Sequence, residues 1–318
     1  MPSAGDSDAA LAAEAAAPVA VGIDLGQSVT DAVALGSSGA LLHHRALNAG
    51  GRDPGAALDT ALAAIADAAA SAGLVGLTGG RSAALALGVA PRGGPRIVTI
   101  PEPEAIGRGG LHLSGLPAAL VVSCGTGTAM VSARAAAPGR PEAFEHATGT
   151  PVGGGTLRAL GALLLGGDDA EAIAALAAQG DASKVDSTLA DVLGSGLGTL
   201  PPEATAVSLG RLADAADRSR GPDEGGLGDA HDRADLAASL VTMVAQTIAL
   251  IAVNAVRAQG LPAVVMVGRV ATLAPVRTML RSVFRVYGVE DLLHMPSGGG
   301  AATAIGAGLA ARDRRAAG

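Results

Sequence analysis

At 318 residues the chain is long enough to bury a large core and to form two lobes. It is 49% hydrophobic and only 16% charged, which excludes a disordered solvating protein. Its 22 basic residues, Lys184 being the only lysine, stand against 29 acidic ones for a net charge of −7, so it lacks the basic face that bulk nucleic-acid binding needs. A phosphate ligand would have to be held by backbone N–H groups, a metal ion and a few arginines. The single cysteine, Cys124, rules out an internal disulfide framework and a Cys-cluster metal site. Its place at the end of an apolar run predicts an inert buried thiol.

Residues 1–18 are Ala-rich, with Asp6, Asp8 and Glu14 and no basic opening segment. They read as a disordered tail rather than a signal peptide, and the lack of an export signal favours the cytoplasm. Residues 19–35 read as strand, Gly-containing turn and strand, with a third strand around 41–47. Asp53-Pro54 caps a helix with an apolar face of Leu58, Leu62, Ile65 and Ala69, and Gly73 ends it. A short buried strand over 74–78 closes in Gly79-Gly80. A small helix and a strand over 97–100 follow, an order that implies a mixed sheet with helices packed on it.

The apolar run from Leu120 breaks into Gly125-Thr126-Gly127-Thr128 and resumes as an alternation, which predicts a tight hairpin. Residues 144–152 lead into Gly153-Gly154-Gly155-Thr156, which opens a helix through 165. Another helix spans 168–179, and residues 181–228 are polar and rich in Gly, Pro and Asp, hence looped with short helices. Residues 236–256 contain no charge. They are studded with Ser239, Thr242, Gln246, Thr247 and Asn254, so the helix over 233–259 reads as a buried or subunit-interface helix rather than a membrane span. A strand over 263–267 ending at Gly268, a helix over 273–284, a strand over 292–295 and a helix from Gly298-Gly299-Gly300 to about 312 complete the chain.

Two of the glycine turns are of the kind that holds phosphate. Asp24-x-Gly26-x-Ser28 and Gly125-Thr126-Gly127-Thr128 each put small residues where N–H groups can crowd around an anion, with hydroxyls as further donors. One well-placed carboxylate suffices for Mg²⁺, which keeps most of its waters. A third cluster, Gly298 to Gly300, and the strand-end Gly268 suit contact with an adenine and ribose.

These turns lie in a chain that, over residues 19–309, resembles the type II pantothenate kinases of the actin-like kinase superfamily. The motifs are Gly22-Ile23-Asp24-x-Gly26, Leu77-Thr78-Gly79-Gly80, Gly149-Thr150-x-Val152-Gly153-Gly154-Gly155-Thr156 and Ala304-Ile305-Gly306-Ala307. The resemblance implies a two-lobed, actin-like (ribonuclease-H-like) α/β fold with mixed sheets flanked by helices, divided here as 19–117 and 118–318. It implies Mg·ATP bound between the lobes and phosphorylation of pantothenate, the first step of coenzyme A biosynthesis. Asp24 would serve Mg²⁺; Gly26, Gln27, Ser28 and Gly125, Thr126, Gly127 and Thr128 would hold phosphates. Gly268 and Gly299 would contact the nucleoside, and Gly153, Gly154, Gly155 and Thr156 would complete the site and shape its acceptor side. The family's base is a strand-end glutamate, which makes Glu102 in Pro101-Glu102-Pro103-Glu104 the candidate and Glu104 the fallback. His146, Gly149 and Thr205 would contact the acceptor. The resemblance further implies a homodimer paired through 233–259 and feedback by CoA or its thioesters.

The sequence departs from that pattern in several places. His146 stands where the family has an arginine, and a neutral imidazole supplies neither fixed charge nor a bidentate fork. Arg158, Arg140 and Arg108 are the candidate substitutes. Gln27-Ser28 replaces Gly-Thr, Asp31 stands where a lysine is frequent, and Arg269-Val270 follows Gly268. These departures keep three alternatives open: a catalytically weak pseudokinase, a regulatory protein binding nucleotide or acyl-CoA, and a kinase for another hydroxylated acid. ATPase activators that bridge subunits through an iron–sulfur cluster fit poorly with Cys124 alone.

Overall fold

The computed structural model describes residues 19–48, 53–85, 94–213 and 233–317. The expected tail lies outside these residues, as do residues 214–228 of the polar stretch. The chain forms two compact units. The first comprises residues within 1–123, 131–147 and 296–318, the second residues within 124–130 and 148–295.

The first unit is built on a five-stranded sheet. Its strands are β1 (Ala20–Leu25), β2 (Val29–Leu35), β3 (Leu41–Asn48), β4 (Leu74–Thr78) and β5 (Arg96–Thr99), in the order β3-β2-β1-β4-β5. β1 and β2 pair antiparallel, whereas β4 runs parallel to both β1 and β5. Alternation along the strands gives the sheet two distinct faces. Val21, Ile23, Leu25, Ala32, Ala34, Val75 and Leu77 lie in one buried cluster with Leu58, Ile65 and Ala69 of the following helices. Those helices are α1 (Pro54–Ala64) and α2 (Ala66–Ala72), separated where Ile65 leaves the helical region at φ −132° and ψ 29°. Asp53 caps α1 by accepting the Gly55 N–H at 2.8 Å, and Gly73 ends α2 in the left-handed region, as the sequence predicts.

The opposite face carries Gly22 and Gly76, and a helix lies against them. A Cβ on Gly22 would overlap the carbonyl of Ala304, and one on Gly76 would overlap that of Ala307. Both belong to α9 (Ala302–Ala317), labelled in chain order with the helices introduced below. The expected division at residue 118 assigned this C-terminal helix to the second lobe. Residues 131–147 and 296–318 instead belong to the first unit, the C-terminal helix because two strand glycines open that face to it.

Beside it runs α3 (Glu102–Ser114), a stretch to which the sequence analysis assigns no helix. Its Gly107, Gly109 and Gly110 lower helix propensity. Tertiary contact reverses the preference: a Cβ on Gly109 would overlap the Ala302 carbonyl, and one on Gly306 that of Ala105. The two helices interlock through each other's missing side chains.

A second sheet has the strand order β12-β11-β6-β7-β8. Its strands are β6 (Ala118–Cys124), β7 (Thr128–Arg134), β8 (Ala143–Thr150), β11 (Val264–Val267) and β12 (Leu293–His294). The second unit holds β11, β12 and the helices α4 (Gly154–Leu165), α5 (Ala170–Ala177), α6 (Leu189–Leu193), α7 (Arg233–Ala258) and α8 (Ala274–Val286). The short strands β9 (Ser187–Thr188) and β10 (Thr205–Val207) form a separate antiparallel pair. α7 packs against α4, α5 and α8. It is long and apolar enough to cross a membrane, yet 72% of its most apolar window is buried within the protein. Two of its buried polar groups are matched: Asp235 meets Lys184 at 3.1 Å and accepts the Asp181 N–H, and Ser239 donates to Asp186.

Candidate functional site

In the first unit the candidate residues collect at the C-terminal ends of β1 and β4. The β1–β2 hairpin turns through Gly26, where a Cβ would collide with the Val29 carbonyl, and leaves Gln27 exposed. Asp24 is half-buried and pairs in register with Thr78 of β4 on one side and Asp31 of β2 on the other. Gly79 follows at φ +95°, and a Cβ there would lie 2.5 Å from Asp24 Oδ1, so only glycine lets the carboxylate settle against the strand end. At Gly80 a Cβ would lie 3.9 Å from Glu102 Oε2. The Asp24 and Glu102 carboxylates therefore both border the Thr78-Gly79-Gly80 segment.

The structure separates Glu102 from Glu104. Glu104 accepts from Arg108 Nε at 3.1 Å and from Arg314 Nη2 at 2.8 Å. Glu102, the exposed first residue of α3, makes no ion pair or side-chain hydrogen bond among the described residues. Arg108 also pairs with Glu142 and Asp313 and stacks 5.4 Å above the Phe144 ring. Three carboxylates neutralise it, so it is committed to tying α3, α9 and the start of β8 together. Arg158 is held by Asp168 at 2.6 Å. Of the three candidate substitutes for the missing arginine, Arg140 alone keeps its side chain without a partner among the described residues. It sits in the β7–β8 connection, on the same hairpin as the exposed His146.

In the second unit the Gly125–Thr128 turn is braced by the start of α4. Gly125 N–H reaches Gly127 O at 2.9 Å, and the N–H groups of Gly154 and Gly155 donate to the carbonyls of Gly125 and Thr126 at 2.8 Å each. A Cβ on Gly153 would lie 2.8 Å from Thr126 O. Gly268, at φ +87°, backs onto Cys124, where a Cβ would lie 2.5 Å from the carbonyl oxygen. The glycines at 153, 154 and 268 thus hold the turn from behind. Thr128 is buried and donates to Val152 O at 2.9 Å, so its proton is spent within the protein. Thr126 is half-buried. Thr156 Oγ1 donates to Pro151 O at 3.3 Å. Cys124 is buried, and loss of solvation pushes its thiol up to about 12, in line with the inert thiol expected.

The remaining candidates are dispersed. Gly149 is exposed on β8, and Gly299 is buried in the turn that precedes α9. Thr205 opens β10, and its hydroxyl donates to Asp186 Oδ2 at 3.0 Å. Asp186 was missed in the sequence. It is fully buried and also accepts from Ser239 Oγ and, at 2.8 Å, from the N–H of Leu209. Leu209 is the one non-glycine residue at positive φ among the described residues. No group of three His, Cys, Asp or Glu residues placed to hold a metal occurs among the described residues. A divalent ion here would rely on one or two carboxylates and its own waters.

The chain is similar to several known proteins. Over 202 residues, 62% of this chain and 66% of that protein, the sequence is 29% identical to the type II pantothenate kinase of Oceanobacillus iheyensis. The fold resembles the ADPNP-bound activator of 2-hydroxyisocaproyl-CoA dehydratase from Clostridium difficile. That match has a TM-score of 0.60 at 16% identity and covers 94% of this chain and 96% of the other. It also resembles a ROK family glucokinase from Streptomyces griseus in complex with glucose and AMPPNP, with a TM-score of 0.51 at 15% identity, covering 92% and 99%. The fold class expected from the sequence, actin-like α/β, is the one found. The model of the Fumble family matches residues 114–287, more than half of the chain, and the protein belongs to that family.

Proposed function

We propose that this protein transfers the γ-phosphoryl group of ATP to the primary hydroxyl of pantothenate. The observation that carries this reading is the Thr78-Gly79-Gly80 strand end, bordered by Asp24 and by a Glu102 that makes no ion pair among the described residues. The name of the Oceanobacillus iheyensis relative supports the choice of acceptor. In the step, a lone pair of the acceptor oxygen attacks the γ-phosphorus, the bond to the bridging oxygen of ADP breaks, and Glu102 takes the hydroxyl proton. Asp24 would hold Mg²⁺, which when bound neutralises charge on the β- and γ-phosphates. The buried, unpartnered hydroxyl of Thr78 beside Asp24 fits such an ion with its waters. Gly125, Thr126 and Gly127 offer the second phosphate turn, with Gly153 to Thr156 keeping its shape. Gly268 and Gly299 would serve the nucleoside, and His146, Gly149 and Thr205 the acceptor.

ADP release by the purified protein with Mg·ATP, with and without pantothenate, tests the reading. Turnover should depend on pantothenate, and Glu102→Ala should lower kcat by about 10²–10⁴-fold with ATP affinity within a few-fold of wild type. A large loss of ATP binding in that variant would contradict the role of base. A second reading, a regulatory protein with weak turnover, is favoured by the exposed His146 and by the commitment of Arg108 and Arg158 to carboxylates. Nucleotide binding without turnover would select it. The reading also includes work in the cytoplasm, feedback by CoA or its thioesters, and a homodimer paired through α7.

A further inference from the structure

We infer that the divalent cation of this protein is held by a row of three side chains, Asp31, Asp24 and Thr78, and not by Asp24 alone. This rests on the reading that Asp24 serves Mg²⁺, and it deepens it.

The row follows from the sheet. Side chains two apart on a strand share a face. Gly22 and Asp24 therefore point the same way from β1, as do Gly76 and Thr78 from β4. Gly22 and Gly76 back onto α9 at Ala304 and Ala307. Asp31 and Thr78 are the register partners of Asp24 on either side. The three polar residues thus stand side by side on adjacent strands, on the face that carries α9 and two residues past its close contacts. Val33, the register partner of Gly22, lies on this face in one cluster with Ala304 and Ile305, which confirms the assignment of β2.

Two features of the row point to a cation. Asp24 and Asp31 stand directly opposite each other in an antiparallel ladder, where carboxylates repel, and His44, 2.7 Å from Asp31 Oδ1, offsets part of that repulsion. Thr78 is fully buried, and its hydroxyl has no hydrogen-bond partner. An oxygen-seeking ion answers both: it bridges the paired carboxylates, and the hydroxyl receives a bond from the ion or from one of its waters. His44 Nε2 lies 2.7 Å from Asp31 Oδ1 and fixes the orientation of that carboxylate, the support that ligating carboxylates receive in metal sites. Two carboxylates and a hydroxyl, with no thiol or imidazole in the row, match Mg²⁺ or Mn²⁺ and disfavour zinc.

The test is Mn²⁺ binding to the full-length protein saturated with β,γ-imido-ATP, followed by electron paramagnetic resonance. Asp31→Asn should weaken Mn²⁺ binding about 10-fold. Thr78→Val should weaken it by about threefold, whereas Thr78→Ser, which keeps the hydroxyl, should stay within about twofold. Far-UV circular dichroism and melting temperature show that each variant is folded, and the Val/Ser pair separates loss of the hydroxyl from loss of packing. Mn²⁺ affinity in a folded Asp31→Asn protein within twofold of wild type overturns the inference. The kinase reading fails separately. If pantothenate-dependent turnover is absent while Mn²⁺ binding depends on Asp31, the cation seat stands without that acceptor. If turnover is normal and Mn²⁺ binding ignores Asp31, the seat falls and the kinase reading stands.

Discussion

Two glutamates in Pro101-Glu102-Pro103-Glu104 look alike in the sequence, and their partners alone distinguish them. Glu104 is tied to two arginines, whereas Glu102, at the head of a helix, is exposed and makes no ion pair among the described residues. The sequence prefers Glu102 only through the family resemblance; the arginine partners of Glu104 come from residues 108 and 314, and the latter's approach is set by packing. Cys124 is the opposite case, since an apolar run before it was enough to predict burial. With its thiol pushed up to about 12, it should resist Ellman's reagent in the folded protein at pH 8 and react fully once denatured. Fast labelling of the native protein would show that the turn behind it opens.

At the scale of elements, the β9–α6–β10 cap of the second unit depends on carboxylates whose affinity for protons is lowered. Asp191 accepts from the N–H and hydroxyl of Thr188 and from Arg211, and the Thr188 bonds hold its carboxyl below the usual range. Asp181 is lowered in the same direction by the Ser183 hydroxyl and N–H. A depressed folded-state value gives stability that is present above the unfolded value of about 3.9 and is lost as pH falls through the folded one. Melting temperature in Asp191→Asn should therefore fall below wild type at pH 7, and the gap should narrow as pH drops below about 4. A gap that stays constant down to pH 2 would show that the Asp191 charge contributes nothing. The elements read best from sequence were those with local signals: Asp53-Pro54 at a helix start, Gly73 at an end, and the Gly-containing turn between β1 and β2. The helix α3 was missed because its glycines favour a loop locally, and the gain from interlocking with α9 lies almost 200 residues away.

For the whole molecule, the open question is how α7 divides between core and interface. Most of the helix is buried within its own unit, but Met243, Thr247, Leu250 and Asn254, spaced four, three and four apart, stay partly or fully exposed along one stripe. If that stripe pairs two copies, sedimentation velocity should give a dimer for wild type, and Leu250→Asp should shift it to monomer with its circular dichroism unchanged. A wild-type monomer at micromolar concentration would remove α7 from any interface. The sequence by itself determined the strand, turn and helix alphabet, the phosphate-type glycine turns, the inert cysteine and the family, because each is written in residues close together in the chain. Tertiary structure decided the rest. It sent the C-terminal helix to the first unit, spent the Thr128 and Thr205 hydroxyls on protein acceptors, buried Asp186 as a hub and lined up Asp31, Asp24 and Thr78. Those outcomes turn on strand register and on where a missing Cβ lets backbones touch, which no local stretch of sequence contains.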